Sequence, residues 1–164
     1  MTEATARAGD QRGQVSNDFA ALQRRLTGLP LPGGTFTVAE HERWLAHDAM
    51  KSPRLADGQL HPVWIVLGAL RGLGMTIEEL VGLAGAASAD GALFGETTLE
   101  QLTPLRADLM YAVSGVVTGI TRRTGRRAGV MDLMTIELTL TEPDGTPAAV
   151  SLQTFILMRE NPSP

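Results

Sequence analysis

Apolar and polar positions along the chain follow two periods, helical up to about residue 84 and alternating from about residue 92 onward. One stretch dominates the first half. His61–Gly74 reads HPVWIVLGALRGLG and is apolar nearly all round a helical wheel, which predicts a core helix with protein on every side. It is too short to span a bilayer, and Arg71 and three glycines interrupt it. Gly68 and Gly72 lie four apart on one face, where they would let another backbone come close. The second half holds long alternating segments, the pattern of a curved antiparallel sheet. A helix followed by a run of strands predicts an α+β fold in which the sheet wraps one buried helix.

The remaining elements can be placed around that helix. Met1–Ser16 is small, polar and aperiodic and is expected to be a disordered tail, with a second polar tail over 160–164. Residues 17–159 are then expected to form one domain. Asn17 can cap a short helix carrying Phe19, Leu22 and Leu26 on one side. Leu29–Gly34 (LPLPGG) breaks it, and Thr35–Val38 alternates as a short strand. Ala39–Met50 is helical in composition, with Trp44, Leu45 and Ala49 expected inward and Glu40, Glu42 and Arg43 towards water. Lys51–Gln59 is a loop, and Pro62 suits the first turn of the core helix. Thr76 and Glu79 read as a capping box for a second short helix ending near Leu83, and Gly85–Gly91 is small and flexible. Strands are expected within Ala92–Leu105, over Asp108–Thr121 with Gly115 and Gly119 as bends, over Gly129–Thr141 and over Pro147–Arg159. Arg122–Arg127 is the loop between the middle two, and Glu142–Thr146 is a hairpin turn. Met134, Ile136, Leu138 and Leu140 share one face of their strand. Val150, Leu152, Thr154, Ile156 and Met158 share one face of the last.

Composition acts mainly by exclusion. The 164 residues are 43% apolar, enough for a sizeable core. A net charge of −4 offers no global attraction for nucleic acid or anionic lipid. No apolar run reaches the length of a membrane span, and the N-terminus lacks the apolar region of a signal peptide. A cytoplasmic protein with neither nucleic acid nor membrane as partner is expected. The absence of cysteine excludes disulfides, thiolate metal sites and a Cys nucleophile. Histidine occurs only as His41, His47 and His61, so any imidazole chemistry must use one of these. There is no P-loop, dinucleotide fingerprint, G-x-S-x-G or zinc spacing, and no cofactor is expected.

Taken in order, LPGGTFTVAEHERWLAHD, then LHPVWIVLGALRGLG, then ETTLEQLTPLRADLMYAVSGVVTGITRRTGRRAGVMDLMTIELTLTEPDGTPAAVSLQTFILM resemble the MaoC-like hot-dog hydratases and dehydratases. The resemblance is closest to their N-terminal, dehydratase-like subgroup and covers roughly Leu31 to Arg159. It is carried by the Pro62-Val-Trp64 opening of the core helix, by Leu102-Thr-Pro-Leu-Arg-Ala-Asp108, and by the Thr-Gly-Arg-Arg run before a Met-containing strand. It implies a hot-dog fold. It also implies chemistry on acyl thioesters of coenzyme A or an acyl carrier protein: water removed from, or added to, a (3R)-hydroxyacyl/2-enoyl pair in fatty-acid or polyketide assembly. Such a reaction needs a base for the C2 proton, an acid for the leaving hydroxyl, and backbone N–H groups at a helix start for the enolate-like oxygen.

The family's Asp and His lie in a D-x-N-P-x-H run just before the central helix. Asp48 stands where that run should begin, but the chain continues Asp48-Ala-Met-Lys-Ser-Pro53, with neither the Asn-Pro pair nor the His. The family's I-A-H-G segment matches either Leu55-Ala-Asp-Gly58, with Asp57 replacing His, or Leu60-His-Pro62, with His61 in register. His61, Asp48 and Asp57 are therefore the candidate catalytic residues. Gly58, Pro62, Trp64, Met131 and Met134 are candidates for lining a substrate site, and Arg126 and Arg127 for meeting a phosphopantetheine phosphate or an acidic carrier protein. Each has a plainer reading: a helix-start histidine, a solvated helix end, a turn, core residues, a solvated loop. His47 and Asp48, adjacent on a helix, point about 100° apart and form no pair by themselves.

Two versions of the function are open. The chain is catalytic, or it is the non-catalytic half of a heteromer that supplies the acyl site; the missing run slightly favours the second. A hot-dog acyl thioesterase and a non-catalytic acyl or carrier-protein binding module are the alternatives. An open sheet edge predicts pairing, as a homodimer or with another hot-dog subunit.

Overall fold

The computed structural model describes residues 18–53, 55–126 and 129–159, so both expected tails and Arg127 lie outside the described residues. Helix α1 covers residues 18–26. It is followed by β1 (Pro30–Phe36), α2 (Glu40–Met50), α3 (Val63–Arg71), α4 (Ile77–Gly82) and a 3₁₀ turn at Ser88–Asp90. Strands β2 (Leu93–Gln101), β3 (Tyr111–Gly125), β4 (Gly129–Thr141) and β5 (Pro147–Met158) follow among the described residues. The five strands form one sheet in the order β1-β3-β4-β5-β2, and every pair is antiparallel. Helix α3 packs against β1, β2, β4 and β5, which is the expected curved sheet around a central helix. No helix among the described residues is long and apolar enough to cross a membrane.

Alternation sets the inner face of the sheet. On β4, Met134, Ile136, Leu138 and Leu140 are fully buried, as their spacing predicts. On β3 the inner positions run Tyr111, Val113 and Val117, then switch parity to Ile120. A register shift between Val117 and Gly119 makes the switch, at one of the two glycines expected to bend the strand. On β5 the inner face is Ala149, Ser151, Gln153, Phe155 and Leu157, whereas Val150, Leu152, Thr154, Ile156 and Met158 lie on the outer face. The more apolar set is thus the outer one. The inner set includes a buried polar pair, with Gln153 Nε2 donating to Ser151 Oγ at 2.9 Å.

Two boundaries and one contact differ from expectation. The LPLPGG segment is strand, not a break: β1 is an edge strand, where missing proline N–H groups need no partner, and a register shift lies between Leu31 and Gly34. Gly33 takes φ +69 there and donates its N–H to Leu73 O at 2.9 Å, while a Cβ on Gly74 would run into the Gly33 carbonyl. This close backbone approach ties β1 to the end of α3. Gly68 and Gly72 make room for side chains rather than a backbone, namely the Phe36 ring and Val113. Finally, β3 extends through Arg122 to Gly125. Arg122 is therefore a strand residue, and its guanidinium pairs with the fully buried Asp132 at 2.7 Å.

Helix α2 is the main correction. It buries no residue completely, and Trp44 and Leu45 are 62% and 54% exposed. The half-buried positions are Glu42, Arg43, Ala46 and His47, one helical stripe at the spacing of i, i+4. Glu42 has partners in this orientation. One of its carboxylate oxygens accepts the Ala39 N–H at 2.9 Å, capping the helix, and the other accepts from Arg71 of α3 at 3.1 Å. Those bonds hold its carboxyl below the usual carboxylate range, the cap first and Arg71 after it. The helix is thus rotated from the orientation that Trp44, Leu45 and Ala49 suggest, and His47 turns towards α3.

Candidate functional site

The loop after α2 delivers His61 to the start of α3. Lys51 ends α2 at φ +50, with its N–H on Asp48 O. Gln59 N–H closes a turn on Ala56 O at 2.9 Å, with Gly58 at φ +72 inside it. The loop is then pinned to the segment before β3. Ala107 N–H donates to Gly58 O and Leu60 N–H to Leu105 O, both at 2.8 Å, and Gln59 bridges Arg106. Leu60 and Leu105 are fully buried, which anchors the loop in the core next to His61.

At that helix start the free donors are fewer than expected. Val63 N–H donates to His61 Nδ1 at 3.1 Å. Trp64 N–H donates to His61 O at 3.0 Å and Ile65 N–H to Pro62 O at 2.9 Å, while Pro62 has no N–H. The amide-rich tip expected to hold an oxyanion is therefore already satisfied by the chain itself. What remains is a side chain: because Nδ1 accepts, neutral His61 carries its proton on Nε2, which has no partner among the described residues. His61 is both the helix-start histidine of the plainer reading and a poised donor.

A cleft of about 510 Å³ lies alongside, bordered by Arg43, Trp44, His47, Asp48, Lys51, Ser52, Leu55 and Asp57. It brings together Asp48 and Asp57, two of the three candidate catalytic residues. The third, His61, is linked to it through His47, whose ring stands edge-on to the His61 ring with centroids 6.2 Å apart. Both His47 nitrogens are shut from water without a hydrogen-bond partner. An unpartnered buried polar atom costs about 1–3 kcal/mol, so His47 is an expensive residue to leave as it stands. Of the cations at the cleft, Arg43 is held by Glu40, and that contact raises its already high pKa.

Sequence reasoning passes over His47 because it weighs the residue against its neighbour Asp48 rather than against His61. The available signal is the scarcity of histidine and the i, i+4 stripe of Arg43 and His47, legible only once the helix face is known.

Other candidates fall elsewhere. Trp64 is buried beneath Arg71, whose guanidinium lies 5.3 Å from the ring centroid, and its Nε1 is also unpartnered. Met134 is buried on the inner face of β4, and Met131, three residues away, lies on the outer face, so the two cannot line one channel. Arg126 is exposed at the tip of the β3–β4 hairpin, at the far end of β3 from the cleft. Gly58 and Pro62 sit in the loop and at the helix start but do not border the cleft.

A second, apolar groove of about 400 Å³ follows α3, bordered by Val66, Leu67, Leu70, Ile77, Leu93, Phe94 and Phe155 among others. Leu67 is 48% exposed on it, so α3 is not enclosed on every side. Among the described residues there is no group of three or more His, Cys, Asp and Glu that could hold a metal ion.

No protein-family model matches the chain, and no curated protein matches it. Solved structures do. A MaoC-like dehydratase superposes with TM-score 0.65 at 17% identity, over 84% of this chain and 43% of that one. The ChsH1–ChsH2 complex of Mycobacterium tuberculosis matches with TM-score 0.63 at 13% identity, over 93% of this chain and 95% of that one. The C-terminally truncated HadBC (3R-hydroxyacyl-ACP dehydratase) complex of the same organism matches with TM-score 0.52 at 15% identity, over 80% and 96%. At these identities the likeness is one of fold: the chain carries the hot-dog fold in the arrangement found in MaoC-like dehydratases.

Proposed function

We propose that the chain is a hydro-lyase subunit acting on acyl thioesters, interconverting (3R)-hydroxyacyl and 2-enoyl groups carried by coenzyme A or an acyl carrier protein. The observation that carries this reading is the start of α3, where His61 offers an Nε2–H donor one histidine ring away from a cleft holding two carboxylates. A donor there polarises a thioester carbonyl, and a cleft base, Asp48 or Asp57 as first candidates, takes the C2 proton. The apolar groove along the same helix suits an acyl chain. The presence of these groups favours a catalytic chain over a purely acyl-binding half.

Fold neighbours that are dehydratases support this by analogy. Two of the solved structures with this fold, ChsH1–ChsH2 and HadBC, are complexes. In this chain every residue of edge strand β2 is exposed or half-buried, including Leu93, Phe94 and Leu99, which suits pairing with a second copy or another hot-dog subunit.

The test is direct. The purified chain is mixed with crotonyl-CoA and, separately, (3R)-3-hydroxybutyryl-CoA, and interconversion is followed. Turnover that falls on His61→Ala supports the reading. Release of free thiol without enoyl or hydroxyacyl formation would establish a thioesterase instead, and turnover surviving His61→Ala, Asp48→Asn and Asp57→Asn would remove all three assignments.

A further inference from the structure

The acyl-thioester reading requires His61 to be held at the reacting carbonyl; a residue for that task rests on that reading and deepens it. The segment that delivers His61 forms a short antiparallel ladder with the segment before β3. Leu60 N–H donates to Leu105 O and Ala107 N–H to Gly58 O, both at 2.8 Å, around the Gln59–Arg106 bridge. In such a ladder the residue between the two bonds turns its own N–H to the opposite side. There the Arg106 N–H donates to Tyr111 Oη at 2.8 Å.

Tyr111 completes a brace that returns to α3. The residue is 1% exposed, and its ring stacks on Phe36 with centroids 5.4 Å apart. The Phe36 ring lies against Gly68 of α3, in the space a Cβ there would need. The His61 loop and the middle of α3 are thus tied through two aromatic rings and one hydroxyl. The other polar contacts of the brace join backbone groups, which any sequence supplies. A Phe at position 111 would stack as well. The hydroxyl is the one feature that packing does not call for, and a buried hydroxyl is unfavourable unless it is bonded. Burial pushes the phenol above its ordinary range, the Arg106 bond offsets this only in part, and the group stays neutral.

We infer that Tyr111 is a positioning residue for this reaction: its hydroxyl holds the ladder, and the ladder sets where His61 Nε2–H meets the carbonyl oxygen. Tyr111 itself touches no reacting atom. It acts on the transition state only through His61, whose hydrogen bond strengthens as negative charge builds on that oxygen. A misplacement of about 1 Å is enough to cost such a donor much of its effect.

The experiment uses the full chain with crotonyl-CoA and (3R)-3-hydroxybutyryl-CoA. Tyr111→Phe is expected to lower kcat by about 10–10²-fold with little change in KM. In a His61→Ala background the same change should cost nothing further, because the group it places is gone. The His61 imidazole resonance, assigned by its loss in His61→Ala, should move in Tyr111→Phe while that of exposed His41 stays. Where Tyr111→Phe melts well below the parent, biosynthetic 3-fluorotyrosine takes its place. Tyr111 is the chain's single tyrosine, so this weakens one acceptor oxygen alone. The kcat should then fall by a smaller factor at the parent's melting temperature. Parent-level kcat in the variant used, an unmoved His61 resonance, or an equal loss in both backgrounds each overturns the inference and leaves the thioester reading intact. A parent chain with no turnover in either direction removes the thioester reading and this inference with it.

Discussion

Replacing Asp132 by Asn tests whether one buried charge closes the end of the sheet away from the cleft. Asp132 has no solvent exposure and lies between Arg122 Nε at 2.7 Å and Arg159 Nε at 2.8 Å. Arg159 also donates to the carbonyls of Ala84 and Gly85, and Arg122 covers the Phe19 ring at 4.5 Å. One carboxylate thus couples β3, β4, the end of β5, α1 and the loop after α4. Breaking a buried pair by removing one partner costs about 3–5 kcal/mol. The two arginine side chains keep 27% and 20% exposure, so water recovers part of that for the orphaned cations, and about 2–3 kcal/mol is expected here. For a domain of this size that is a drop of roughly 5–10 °C in melting temperature.

Asp132 also gives the loss a pH signature. Burial pushes its carboxyl up, but the hydrogen bonds and charges of Arg122 and Arg159 outweigh burial and hold it below the usual carboxylate range. A group depressed by folding adds stability that is fully present above its unfolded value, about 4, and is lost as pH falls through the folded value. The deficit of Asp132→Asn should therefore be complete at neutral pH and shrink below about pH 4. Urea denaturation of both proteins across that range measures it. A neutral-pH deficit under about 0.5 kcal/mol, or one that does not shrink in acid, refutes the reasoning.

Other sites give sharper local tests. Gly68→Ala places a Cβ against the Phe36 ring, which is itself stacked on Tyr111 at 5.4 Å. Overpacking of about 1–3 kcal/mol should exceed the helix-propensity gain of about 1 kcal/mol, so a lowered urea midpoint is expected. Thr76→Ala removes the hydroxyl that accepts the Glu79 N–H at 3.1 Å and should lose about 1 kcal/mol in the same measurement. Leu99→Lys puts a charge in the middle of exposed edge strand β2 and should shift light-scattering mass towards monomer; an unchanged mass would place any partner elsewhere.

Much of the fold is legible in local patterns. The Thr76–Glu79 capping box forms as its residues predict, because both hydrogen bonds close within four residues. Most of the inner face of β4 follows from alternation, with Met134, Ile136, Leu138 and Leu140 inward, and the same face carries the buried Asp132. Alternation does not tell the inner face of β5, where Ser151 and Gln153 share one hydrogen bond and Gln153 Oε1 stays unpartnered among apolar neighbours. Asp48 and Asp57 stand out by position relative to a familiar motif, and they do border one cleft. Trp64 and Met134 follow their plainer reading as core residues.

By itself the sequence determined the order of elements, the helix at the centre and the strands around it, because periodicity is a property of neighbouring residues. Only the tertiary structure decided which side of α2 faces inward. There Glu42 meets Arg71, 29 residues away, while Trp44 and Leu45 stay exposed and His47 faces His61. Likewise no pattern in the chain reveals that the α3 amides are already engaged, leaving one imidazole N–H as the donor. Both are contacts between separate elements, set by how the helices meet rather than by any residue's immediate neighbours.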